Sequence, residues 1–144
     1  MSEKWIVAFM DLGRVGWWDI FTRPGFRHVM ALHYEPTLRL WYSVDWGRRG
    51  LTVKAFSRYQ MQDAIAYMIE YGTCFEVVKQ PNSEVSPVVG LYCVSAVKSI
   101  IGLRCWWAVT PWLLACALRR YGARPIFRKI VEDPDGHSQR AEAN

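Results

Sequence analysis

Hydrophobic and polar positions divide the chain into two regimes. From Trp5 to Met10 the residues are almost all apolar, as in a strand buried on both faces. Phe26–Tyr34, Leu38–Asp45 and Leu51–Phe56 are short runs rich in β-branched and aromatic residues. Turn residues separate them, at Glu35-Pro36 and at Gly47–Gly50, so the first two runs are expected to form an antiparallel hairpin. Asp11–Pro24, punctuated by Gly13 and Gly16, reads as a loop.

The period changes at Ser57. Ser57 followed by Gln60 is a capping box, and Met61, Ala64, Ile65, Met68 and Ile69 then recur at helical spacing up to Gly72. Thr73–Lys79 returns to strand character, and Gln80–Pro87 is a polar loop bounded by prolines. A second helix is expected from Cys93 to Ile101, with Val94, Val97 and Ile101 on its apolar face and Gly102 as its stop. Thr110-Pro111 marks a third start, an N-cap with proline at the first helical position. That helix buries Leu114, Ala117 and Leu118 and ends near Gly122.

These elements predict an α+β fold, an antiparallel sheet packed against about three helices. Residues 1–127 form one domain, and residues 128–144 form a polar C-terminal tail. At 144 residues the chain is long enough for one core, and its 51% hydrophobic content excludes general disorder. Most of the eight Trp, seven Tyr and six Phe are expected to fill that core. The doublets Trp17-Trp18 and Trp106-Trp107 are expected at a surface, because adjacent side chains do not share one buried face.

Charge and cysteine spacing narrow the chemistry. The net charge of +5 is spread in pairs, Arg48-Arg49 and Arg119-Arg120, so nucleic-acid binding is not expected. Ala108–Leu118 is too short and too interrupted for a membrane span, and the N-terminus lacks the features of a signal peptide. Cys74, Cys93, Cys105 and Cys116 form no C-x-x-C pair, so reduced thiols are expected, with no metal and no cofactor.

One cysteine stands apart. A thiol nucleophile is favoured at a helix N-terminus, where the dipole stabilises thiolate and free N–H groups can face an oxyanion. Cys93 is in that position, whereas Cys74 falls on a strand, Cys105 between helices and Cys116 inside an apolar helix run. His28 is the best base, on a strand expected to lie opposite Tyr42–Asp45. Asp45 or Ser43 would then orient its ring. His33 lies at an odd offset and is expected on the other face, and His137 falls in the tail. Trp17, Trp18, Trp41 and Trp46 are expected near the cleft. A core cysteine and a hydrogen-bonded strand histidine are the plain structural alternative.

Histidine strand, polar residue on the next strand, then cysteine at a helix start is an order that resembles the circularly permuted branch of the NlpC/P60 papain-like superfamily. The resemblance is carried by Gly25-Phe26-Arg27-His28-Val29, by Trp41-Tyr42-Ser43-Val44-Asp45 and by Tyr92-Cys93-Val94-Ser95-Ala96-Val97-Lys98. With Gly102 and Thr110-Pro111-Trp112-Leu113-Leu114 these segments also resemble small proteins encoded among bacteriophage structural genes. The resemblance spans residues 5–122 and implies a permuted papain-like arrangement. In it Cys93 is nucleophile, His28 general base and Asp45 the orienting residue, with Ser43 or Tyr42 as substitutes.

The implied function is a phage-associated cysteine hydrolase, of peptidase or amidase type, cutting amide bonds such as those of peptidoglycan peptides. The alternative is a catalytically silent virion structural or assembly protein that docks other phage structural proteins. The implied location is the host bacterial cytoplasm during assembly, then the virion.

Overall fold

In a computed structural model, residues 3–11, 23–47, 49–79 and 92–126 are described. The expected loop at Gln80–Pro87, the Trp17-Trp18 doublet, most of the Asp11–Pro24 loop, and the tail with His137 lie outside those residues. The described elements run β1 (Lys4–Met10), β2 (His28–Glu35), β3 (Leu40–Gly47), β4 (Gly50–Ser57), α1 (Arg58–Tyr71), β5 (Thr73–Val78), α2 (Cys93–Ile101), α3 (Pro111–Arg120) and β6 (Arg124–Ile126). The strands form one antiparallel sheet in the order β4-β3-β2-β1-β5-β6. The α+β expectation holds.

The sheet divides its side chains by alternation. Trp5, Val7 and Phe9 of β1, Val29 and Ala31 of β2, Val44 and Phe75 form the main core with Val94, Val97 and Ile101 of α2 and Leu114, Ala117 and Leu118 of α3. On the other face Met30, Leu32, Ser43 and Asp45 look across a cleft of about 230 Å³ to Gln60, Met61, Ala64 and Met68 of α1. Only Met61 of α1 is fully buried, so α1 covers its face lightly.

Local chemistry fixes the helix ends. Gln60 N–H donates to Ser57 Oγ at 3.4 Å, and Ser57 N–H donates to Gln60 Oε1 at 3.0 Å, completing the capping box. At the far end of α1, a Cβ on Gly72 would stand 2.6 Å from the Phe9 carbonyl oxygen and 2.7 Å from that of Met68. Glycine is needed there for close approach, not for its dihedral freedom. Gly102 ends α2 in the left-handed region at φ 73°, and Leu103 N–H returns to Lys98 O at 2.9 Å. Thr110 Oγ1 accepts from Leu113 N–H at 3.2 Å and starts α3.

Three details differ from the sequence-based expectation. Phe26 and Arg27 precede β2, and Leu38 and Arg39 belong to the turn before β3. Arg39 takes φ 54°, a left-handed conformation that an arginine does not advertise. β6 was not expected. It is three residues long and holds Pro125, which an edge strand tolerates because one row of its backbone groups faces away from the ladder.

Candidate functional site

The approach to β2 is anchored before the histidine is reached. Both Asp11 carboxylate oxygens accept from Gly25 N–H at 2.8 Å, and Phe26 N–H closes a turn onto Arg23 O at 2.9 Å. Gly25 permits that turn with φ 82°. The Phe26 ring then packs between Phe9, at 5.5 Å, and Trp112 of α3, at 4.9 Å. Asp11 and Phe26 thereby fix where His28 leaves the turn. Neither carries a sequence signal for that role, because both act through partners distant in the chain.

His28 is the first residue of β2, opposite Met10 of β1. The β2–β3 register places Asp45 opposite Met30, not opposite His28. His28 and Asp45 are therefore diagonal neighbours on one face, a separation that longer side chains span. His28 Nε2 and Asp45 Oδ1 lie 2.6 Å apart, in a pair whose side chains are mostly shielded from solvent. The two substitutes for Asp45 stand elsewhere. Ser43 pairs with Leu32 and Tyr42 with His33, farther along the strand.

Cys93 reaches the same ring from a different layer. It is the first residue of α2 and half-buried, while the helix behind it is anchored in the core by Val94 and Val97. The Cys93 sulfur stands near enough to the His28 side chain to act on its proton affinity. With Nε2 committed to Asp45, Nδ1 is the ring nitrogen available to the sulfur. The three residues meet at the end of a strand and the start of a helix, where α2 does not have to cross the sheet.

The electrostatics follow from that placement. Burial alone would push the His28 pKa down. Hydrogen bonding to Asp45 and Cys93, with the electrostatic pull of both, overcomes it and raises the pKa from 6.5 to about 9. At neutral pH the ring is therefore an imidazolium held between a carboxylate and a sulfur.

The other cysteines are placed differently. Cys74 is buried, its thiol donates to Met68 O at 3.5 Å, and burial lifts its pKa to about 11. Cys105 is buried in the core, and Cys116 is half-buried within α3. His33, at an odd offset from His28, lies on the other face of β2, opposite Trp5 and toward the far end of the strand. Its ring stacks on Trp5 at 4.9 Å, and its Nδ1 lies 2.8 Å from Lys4 O.

Trp41 corrects the expectation that it borders the site. It pairs with Tyr34 in the β2–β3 ladder, 5.2 Å between rings, at the end of the sheet away from His28. Trp46 is at the near end, beside the Gly47–Gly50 turn. Among the described residues no group of three or more His, Cys, Asp or Glu could hold a metal ion. No helix among them is long and apolar enough to cross a membrane.

The first turn of α2 faces the site with its backbone. Tyr92 caps it without a side-chain hydrogen bond, and the first intrahelical bond is Ala96 N–H to Tyr92 O at 3.1 Å. The N–H groups of Cys93 and Val94 precede that bond and have no helical acceptor.

Comparison with known proteins yields no match: no family model, no curated protein and no solved structure matches this chain.

Proposed function

We propose that the protein is a cysteine hydrolase acting on an amide or ester carbonyl through Cys93, His28 and Asp45. The observation that carries this reading is the His28 ring, bonded to the Asp45 carboxylate with the Cys93 sulfur beside it. A ring held between a carboxylate and a thiol at a helix N-terminus has the arrangement that nucleophilic catalysis requires.

In this mechanism the Cys93 thiolate attacks the carbonyl carbon, forming the C–S bond and a tetrahedral oxyanion. The backbone N–H of Cys93 is the oxyanion donor closest to the reacting atom. His28 gives its proton to the leaving amine or alkoxide as the C–N or C–O bond breaks, leaving a thioester. Neutral His28 then takes a proton from water, which attacks the thioester and regenerates the thiolate and imidazolium. Asp45 holds the ring in one orientation throughout and stabilises its charge.

The sequence resemblance supports a narrower substrate and setting, peptidoglycan peptides in a phage-associated hydrolase working beside other phage structural proteins. The acyl-enzyme is the direct test. Incubation with a p-nitrophenyl ester should add one acyl group to Cys93, found by mass spectrometry after acid quench. The Cys93→Ser and His28→Ala variants should not accumulate it. Acylation elsewhere, or none, would leave the chain as the docking protein of the alternative reading.

A further inference from the structure

The Trp106-Trp107 doublet has no part in the proposed site, and the structure gives it a distinct environment. Trp107 is half-buried, with the Arg120 guanidinium 5.4 Å from its ring centroid. Trp106 is 88% exposed in the turn between α2 and α3. Val109 in the same turn and Tyr121 after α3 are also exposed. The two segments are joined, because Tyr121 Oη donates to Arg104 O at 3.2 Å. Lys98 Nζ donates to Ala108 O at 3.2 Å and steadies the turn from α2.

The charged residues of the segment that carries this apolar tip are all basic. Residues 92–126 contain Lys98, Arg104, Arg119, Arg120 and Arg124 and no aspartate or glutamate. Arg124 stands across the ladder from Glu76, whereas Arg104 and Arg120 flank the doublet. Arginines in the last turn of α3 suit its dipole, but that does not account for an apolar tip bare of acidic neighbours in sequence.

We propose that the α2–α3 turn is a peripheral docking surface for an anionic lipid bilayer. Trp106 and Val109 enter the headgroup region, and Arg104 and Arg120 meet lipid phosphates. Tryptophan and tyrosine favour the membrane–water interface, and basic residues beside them add attraction to anionic headgroups. A nucleic-acid surface fits less well. Strand binding uses successive stacking platforms, whereas Trp107 is already occupied by Arg120 and Val109 offers nothing to a base. The proposal is independent of the hydrolase reading.

The test is cosedimentation of the full chain with vesicles of equal parts phosphatidylcholine and phosphatidylglycerol, against phosphatidylcholine alone. Binding to the anionic vesicles only, weakened by added salt, is expected. Trp106→Ala should lower the partition coefficient about tenfold, and Arg104→Gln or Arg120→Gln about fivefold each. The exposure of Trp106 makes its variant safe for folding, and Cys93→Ala should bind as the parent does. Equal binding to both vesicle types, no binding, or unchanged binding by Trp106→Ala would overturn the proposal. So would a single-stranded oligonucleotide that displaces the vesicles at equal phosphate and depends on Trp106, which would assign the surface to nucleic acid.

Discussion

His28 Nε2 and Asp45 Oδ1 lie 2.6 Å apart across the β2–β3 ladder, joined diagonally because Asp45 stands opposite Met30. The pair fixes one ring nitrogen and leaves the other for the Cys93 sulfur. Its removal should be visible at the histidine itself. In Asp45→Asn the negative charge is lost while the shape is kept, so the His28 pKa should fall from about 9 toward 6.5. An NMR titration of the imidazole carbons reads this directly. A drop of even one unit corresponds to about 1.4 kcal/mol of lost preference for the charged ring. An unchanged midpoint would mean that Asp45 does not set the charge.

The same pair makes stability depend on pH in a defined direction. The folded pKa of His28 is above the ordinary histidine value, so the folded state binds this proton more tightly than the unfolded one. The contribution is fully present below about pH 6.5 and is lost as pH rises through about 9. The shift corresponds to on the order of 3 kcal/mol. Urea denaturation of the parent and of His28→Gln should give stability curves that converge as pH rises from 6.5 to 9. Parallel curves would show that the proton is not linked to folding.

Gly72 offers a prediction about the scaffold. A Cβ there meets two backbone carbonyl oxygens, from Phe9 and Met68, and neither can swing aside as a flexible side chain would. Gly72→Ala should therefore destabilise the domain by roughly 1–3 kcal/mol, as overpacked sites do. Gly47→Ala, where a Cβ meets nothing within 4 Å, is the control. Urea midpoints that shift equally in both variants would contradict the account.

The N-cap of α3 should act more mildly. Thr110 Oγ1 accepts from Leu113 N–H, and Thr110→Ala removes that acceptor at a cost of about 1 kcal/mol. Thr110→Ser should retain most of it. Thermal melts of the two variants separate the hydroxyl from the methyl group.

The parts of this fold that are legible in sequence are those decided within a few residues. Ser57 with Gln60, Gly102 after Ile101, and Thr110-Pro111 each announced a helix end, and each functions as that end. Cys93 at the start of α2 belongs to this group. Register does not, because it depends on the length of a turn. The Pro36–Arg39 turn is longer than expected, and the left-handed Arg39 gives no sign of itself. That turn length puts Asp45 diagonal to His28 and carries Trp41 to the far end of the sheet. β6 was invisible for a related reason, since three residues containing a proline become a strand only because the edge of β5 is there to pair with. Asp11 and Phe26 hold the turn before His28 through distant partners, and periodicity does not register such bonds.

The most direct measurement is the rate at which iodoacetamide alkylates each cysteine of the folded chain near neutral pH, read by peptide mass spectrometry. Cys116, half-buried like Cys93, is the reference, since Cys74 and Cys105 are slowed by burial alone. Activation of Cys93 by His28, as proposed, predicts that Cys93 reacts at least about tenfold faster than Cys116. His28→Ala should bring the two rates together. Equal rates in the parent chain, or a Cys93 rate untouched by His28→Ala, would contradict the account.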